Sequence, residues 1–245
     1  MASITTDVYN CIQKYELIKE NDNIAVGISG GKDSATLLHV LGLLKKKLKI
    51  NLTAIHIIPR KNYEQEKIDK INMLCEKIDV PVIMVNTNIL DYIEELKLKK
   101  DICFLCAQMR RKELFLTMSE KKIYKLALGH HRNDAIETFM MNIFYSAQVC
   151  TMMPKQSLFR GKIEIIRPLY TVREKRIESY SKTNELPVFG YCCMQSEISK
   201  RKEMKDMIAY LSEKNPKVEY NIFNSMHNIN LDYLPKVTGI NHQKN

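Results

Sequence analysis

The chain has 245 residues, enough for one α/β domain or one domain with a modest appendage, and its 45% hydrophobic content supports a core without disulfide staples. No apolar run reaches transmembrane length, and residues 1–20 lack the apolar centre of a signal peptide, so the expectation is a cytoplasmic protein with no membrane partner. The 38 basic against 28 acidic residues leave a net charge of +10, which favours encounter with a polyanion but also suits lysines on solvated helix faces (45–49, 97–100, Lys121 and Lys122).

Apolar spacing predicts an opening helix over about 8–18. The run Ile24-Ala25-Val26-Gly27-Ile28, bounded by Asp22-Asn23 and Ser29-Gly30-Gly31, predicts a buried strand. A helix follows over 34–48, with Leu37, Leu38, Leu41, Leu44 and Leu48 at helical spacing. The alternation then repeats. A strand is predicted over 52–58, a helix over 64–78, a strand over 80–85 and a helix over about 104–119. A strand over 124–128, a helix over 132–146 and a last strand over 162–166 complete it. Strands alternating with helices imply an α/β fold with a doubly wound, mainly parallel sheet. From about residue 173 the pattern is helical only, over 173–184, 199–211 and 218–227. The expected organisation is an α/β domain over 1–170, a helical region over 171–238 and a loose polar tail over 239–245.

Ser29-Gly30-Gly31-Lys32-Asp33-Ser34 falls between the first strand and the next helix, where ligands bind in an open parallel sheet. The glycines let the backbone turn tightly and approach a phosphate, and N–H groups at the helix start point at the anion. Asp33 repels a bare phosphate, so its natural role is to hold Mg²⁺. The spacing is not that of a Walker A loop, because Asp33 stands between Lys32 and Ser34. The hexapeptide resembles instead the PP-loop of the adenine-nucleotide α-hydrolases, which have a HUP-like fold and cleave ATP between its α and β phosphates. That resemblance implies ATP binding by residues 29–34, with Asp33 catalytic through its metal. His56, in the second strand, joins the nucleotide-side candidates.

Gly129-His130-His131-Arg132-Asn133-Asp134 follows the fourth strand, again at a carboxyl end. It resembles the Gly-His-His-x-x-Asp signature of PP-loop tRNA enzymes. The resemblance implies that Asp134 is a second metal or ribose contact and that Gly129 lets the nucleotide approach. Helix capping and packing are the alternative for His130, His131 and Asp134.

Seven cysteines in a reduced compartment argue against a disulfide framework. Cys11, Cys75 and Cys150 are isolated and read as small buried apolar groups. Cys103-Phe104-Leu105-Cys106 can share one metal or act as a redox pair. The helix it opens carries Arg110, Arg111 and Lys112, candidate RNA contacts. A third thiolate from Cys192 or Cys193 would make a three-cysteine site, which suits an iron–sulfur cluster with one iron left open.

Taken in order, a PP-loop, Cys-x-x-Cys followed by Arg-Arg, Gly-His-His-Arg-x-Asp, Ile166-Arg167-Pro168-Leu169, Arg173-Glu174-Lys175 and a late cysteine before a basic helix resemble the tRNA-cytidine 2-sulfurtransferase family over nearly the whole chain. In that family the late cysteine lies eight residues before an arginine; counting back from Arg201 selects Cys193, with Cys192 second. The resemblance implies ATP-dependent thiolation of tRNA at the O2 of cytidine 32. It also implies a [4Fe-4S] cluster on Cys103, Cys106 and Cys193, Arg201 as a further RNA contact, a sulfur donor such as a cysteine desulfurase, and a homodimer as an allowed assembly. Two positions depart from the family: Gly190 stands where relatives place a further cysteine, and Met194 follows Cys193 where many have glycine. A tRNA lysidine synthetase shares both ATP motifs but does not need Cys-x-x-Cys, and a 2-thiouridine synthetase typically carries terminal Cys/His clusters. A non-catalytic ATP-binding module would need no third cysteine.

Overall fold

The computed structural model describes residues 3–60, 62–96, 102–189 and 200–233. The elements in chain order are α1 (Ile4–Lys14), β1 (Asn23–Ile28), α2 (Lys32–Leu48), β2 (Asn51–Ile58), α3 (Gln65–Lys77), β3 (Val82–Asn86), α4 (Ile89–Glu95), α5 (Ile102–Glu120) and β4 (Lys125–Ala127). They continue with α6 (Arg132–Ser146), β5 (Lys155–Leu158), β6 (Ile163–Ile166), α7 (Glu174–Thr183), α8 (Lys200–Lys214) and α9 (Val218–Ser225). The strands form one sheet in the order β3-β2-β1-β4-β6-β5, parallel except for β5 at the edge.

Helices cover both faces of the sheet, so β1 and β2 are buried almost end to end. Successive side chains still alternate between two cores. Ile24, Val26 and Ile28 of β1 join the core under α1, α2, α3, α6 and α7, whereas Ala25 joins the core under α4 and α5. In α2 the predicted leucine spacing packs Leu37, Leu38 and Leu41 with no exposure; each such burial contributes roughly 1.5–3 kcal/mol. The helix stops where Lys49 turns left-handed at φ 53°.

From β1 the chain winds outward to β2 and β3, then crosses back to β4 and β6 on the other side. The strand order therefore reverses between β1 and β4, and a crevice opens at their carboxyl ends. That is where residues 29–34 and 129–134 lie.

The predicted elements are all present, with β4 trimmed at both ends to three residues. Three elements were not anticipated, one of them a 3-10 turn over Leu231–Tyr233. β5 (Lys-Gln-Ser-Leu) is a short polar edge strand without an apolar run, and α4 spans only seven residues. Cys150 corrects one expectation: Cys11 and Cys75 are buried, but Cys150 is exposed in the connection after α6, where the Asn142 side chain donates to its carbonyl. The helical region packs on the main core through Ile177, Ile208 and Phe223. The tail 239–245, Cys192 and Cys193 lie outside the described residues. Among the described residues no helix is long and apolar enough to cross a membrane.

Candidate active site

The first loop is braced by its own serines. The Ser29 N–H donates to Ser34 Oγ at 3.1 Å, and the Ser34 hydroxyl donates to the Gly31 carbonyl at 3.0 Å. Its one proton is thereby used, so Ser29 Oγ, 3.1 Å away, donates to Ser34 Oγ and accepts from the Gly31 N–H. Gly31 caps α2 without a side-chain hydrogen bond, which leaves first-turn N–H groups for an anion. Gly30 has two reasons to be glycine. Its φ is +86°, and a Cβ there would fall 2.0 Å from the ring of Phe189, whose N–H donates to the Gly30 carbonyl at 2.9 Å.

Asp33 and Lys32 form the charged face of this loop. Asp33 Oδ1 is buried and accepts no hydrogen bond; Lys32 Nζ lies 3.3 Å from it and His131 Nε2 3.7 Å. Burial raises the Asp33 pKa, with His131 and Lys32 opposing. An under-coordinated carboxylate oxygen of this kind fits a hard cation such as Mg²⁺. Burial works against the charge on Lys32, but the carboxylates of Asp33 and Glu174 outweigh it and hold the amine above its ordinary pKa. Glu174 Oε1 lies 3.0 Å from Lys32 Nζ, and Oε2 takes Lys205 of α8 at 2.8 Å. Burial opposes this charge too, yet the two lysines bring Glu174 down to about 2.

The second motif touches the first backbone to backbone. A Cβ on Gly129 would lie 2.9 Å from the Ser34 nitrogen and 3.0 Å from the Asp33 carbonyl carbon, so the fold itself requires glycine there. His131 and Asp134 cap α6 reciprocally. Asp134 Oδ2 accepts from the His131 N–H at 2.8 Å, and His131 Nδ1 accepts from the Asp134 N–H at 3.4 Å. The other Asp134 oxygen lies 3.5 Å from Arg201 Nη2, and Arg201 Nε lies 3.2 Å from Glu137. Burial lifts Glu137 to about 7 despite that arginine. Burial likewise brings His130 down to about 4, so it is neutral near pH 7, and its Nδ1 has no hydrogen-bond partner.

Between the two motifs opens a cavity of about 280 Å³, lined by Ser29, Asp33, Gly129, His130, Asp134 and Arg110 among others. Arg110 comes from α5, one turn after Cys106, which is buried beside Ile55 and Ile57 in the core beneath. The nucleotide loops and the Cys-x-x-Cys helix thus border one crevice.

A family described as a PP-loop domain matches residues 3–190. The chain is 32% identical over 234 residues to a tRNA-cytidine(32) 2-sulfurtransferase of Citrifermentans bemidjiense, covering 94% of this chain and 92% of that one. It is 34% identical over 235 residues to a Geotalea uraniireducens protein of the same name, covering 94% and 93%. The chain belongs to the PP-loop family of tRNA-cytidine(32) 2-sulfurtransferases. Its fold also matches the U34-tRNA thiolase NcsA from Methanococcus maripaludis, solved with its [4Fe-4S] cluster. The TM-score is 0.76 at 26% identity, covering 97% of this chain and 83% of that one.

Within this PP-loop family member, most nucleotide-side candidates meet in the crevice. His56 is fully buried and is not among the described residues lining the cavity. Its Nδ1 donates to the Ile28 carbonyl at 2.8 Å, which leaves Nε2 bare, without a partner, in a ring that burial keeps neutral. Of the four basic candidates, Arg110 faces the cavity and Arg201 the second motif, while Arg111 and Lys112 are exposed. Position 103 lies in the first turn of α5; the Cys103 side chain lies outside the described residues, as do Cys192 and Cys193. Sequence reasoning gave no role to Glu137, Glu174 or Phe189. Glu174 sits inside a recognised motif and Glu137 just after another, but only the fold shows that they pair with Lys32 and Arg201. For Phe189 no sequence signal existed.

Proposed function

We propose that the chain is an ATP-dependent tRNA sulfurtransferase that activates the O2 of cytidine 32 by adenylation and replaces it with sulfur. The observation that carries this reading is the shared crevice, in which the ATP loops and the helix of Cys103 and Cys106 border one cavity. The first-turn N–H groups of α2 and Lys32 bind the phosphates, and Asp33 and Asp134 are the residues that would hold Mg²⁺ to neutralise them. The cytidine O2 attacks the α-phosphorus, and the bond to the β-phosphate oxygen breaks to release pyrophosphate. Adenylation makes the oxygen a good leaving group, and AMP departs with it when sulfur bonds to C2.

Cys103, Cys106 and Cys193 are the residues that would hold a [4Fe-4S] cluster, and the buried free thiol of Cys106 beside the cavity fits that donor set. When bound, the cluster supplies an iron at which sulfur is held. The sulfur itself comes from a separate donor such as a cysteine desulfurase, in a cytoplasmic setting where thiols stay reduced. The exposed apolar side chains of Ile143, Phe144 and Val149 at the end of α6 offer a surface for a homodimer.

The test is anaerobic purification and reaction with ATP, sulfide and tRNA, followed by mass spectrometry of the digested nucleosides. The expected result is brown protein containing iron and sulfide, 2-thiocytidine in the tRNA, and one AMP and one pyrophosphate per sulfur inserted. ATP consumption with 2-thiouridine, or with no thiolated base, would overturn the assignment of cytidine.

A further inference from the structure

We propose that the pocket between α1, α6 and the start of α7 is a binding site for a backbone phosphate of the RNA substrate, with Arg132, Arg173 and Arg176 as its cations. This rests on the reading of tRNA as substrate and names the place where its backbone is gripped. The pocket, about 410 Å³, is lined by Asp7, Asn10, Arg132, Thr171, Arg173 and Arg176 among others. Three guanidinium groups face it against one carboxylate, and that carboxylate, Asp7, is engaged by Arg176.

Arg132 is the unusual member. It is only 8% exposed, and its guanidinium lies 4.7 Å from the Phe223 ring centre and 5.8 Å from that of Tyr220. One Nη2 contact reaches the Glu219 carbonyl at 3.4 Å, while Nε is buried without a hydrogen-bond partner. Burial and the nearby charge of Arg173 work against its charge, with Glu219 and Tyr220 opposing. Among the described residues neither Arg132 nor Arg173 has a carboxylate within ion-pair distance. A cation kept at such depth beside a like charge is costly unless an anion completes it. Planar guanidinium groups match the oxygens of a phosphate.

The pocket also adjoins the second ATP-side motif. Arg132 is the residue after His131, whose Nε2 stands 3.7 Å from Asp33 Oδ1. Its N–H is fixed to the Val172 carbonyl at 3.0 Å. A base inserted in the cavity between the ATP motifs would leave its backbone on the same rim of the sheet. Inorganic phosphate or released pyrophosphate offers the same chemistry, and the test separates the sources.

The experiment measures binding of fluorescent tRNA to the full-length, cluster-loaded protein across a salt series, with Arg173→Gln and Arg173→Lys beside the wild type. Arg173→Gln should weaken binding about tenfold. It should also lower the slope of log affinity against log salt by about one. Arg173→Lys should restore the slope, and ATP affinity without tRNA should stay unchanged in both. Wild-type binding with Arg173→Gln equal to it in affinity and slope would overturn the site while leaving tRNA as substrate. Failure of the wild type to bind tRNA would overturn both. Phosphate or pyrophosphate binding that depends on Arg173, with tRNA affinity unmoved, would make it a free-anion site and refute the RNA assignment.

Discussion

The two ATP-side helices begin in opposite ways. At α2 the cap is Gly31, which has no side chain to offer, and the serines of the loop bond to one another and to the loop backbone. At α6 the cap is His131, bonded reciprocally with Asp134, so half of that carboxylate is already used. One helix start is kept open and the other is closed. Similar motifs at equivalent strand ends are thus built differently: the first loop leaves its helix start open for a ligand. The second, which also lines the cavity through Gly129 and Asp134, closes its own helix start and packs against the first. Gly129 makes the point, because its missing Cβ is the space taken by the Asp33–Ser34 backbone.

The sharpest way to break this contrast is to remove each aspartate in turn. Asp33→Ala should cut tRNA-dependent pyrophosphate release on the order of 10²–10³-fold. The melting temperature should not fall, because the lost group is a carboxylate whose charge burial disfavours. Asp134→Ala should cost about 1 kcal/mol of stability through the lost cap, or about 2–4 °C in melting temperature, with a much smaller loss of rate. Equal losses of rate would show that the second motif is as directly catalytic as the first.

The glycines of the loop give the next largest effect. Gly30→Ala puts a Cβ at positive φ and against Phe189, a strain of about 1–3 kcal/mol, and calorimetry should show ATP affinity reduced tenfold or more. Gly31→Ala meets only Ser29 Oγ at 3.5 Å, so its affinity should stay within a few-fold of wild type. The reverse order would refute the reasons given for the two residues.

The smallest effect concerns the closed side, through Glu137. Its native pKa of about 7 lies above the ordinary value of 4.5. The native state therefore favours the protonated carboxyl, and the associated stability is complete below pH 4.5 and lost as pH rises through about 7. Glu137→Gln removes that loss. Thermal unfolding should show the variant close to wild type at pH 5 and more stable at pH 8, by on the order of 3 kcal/mol at most. A gap that shrinks with rising pH would contradict the burial of Glu137 as described.

Much of this molecule was legible in its sequence because it rests on local rules. The leucine spacing of α2, the apolar run of β1 and the Gly-Gly turn between them identify a strand–loop–helix unit without its neighbours. The short polar strand β5 and α4 escaped because nothing local marks them. Asp33 and Gly129 stood out as motif positions, and both line the cavity. The reason Gly129 is glycine was not legible, since it depends on a contact about a hundred residues away in sequence. Glu174 was quoted as part of a motif, but its grip on Lys32 across 142 positions is a property of the fold alone.

On the proposed reading one crevice serves activation and sulfur insertion, with the ATP loops responsible for the first and the cysteine helix for the second. It is tested most directly by measuring pyrophosphate release and thiolated base in the same reaction for Cys106→Ala and Asp33→Ala. Cys106→Ala should still release pyrophosphate in a tRNA-dependent way but make no 2-thiocytidine, whereas Asp33→Ala should do neither. Normal thiolation by Cys106→Ala would contradict it.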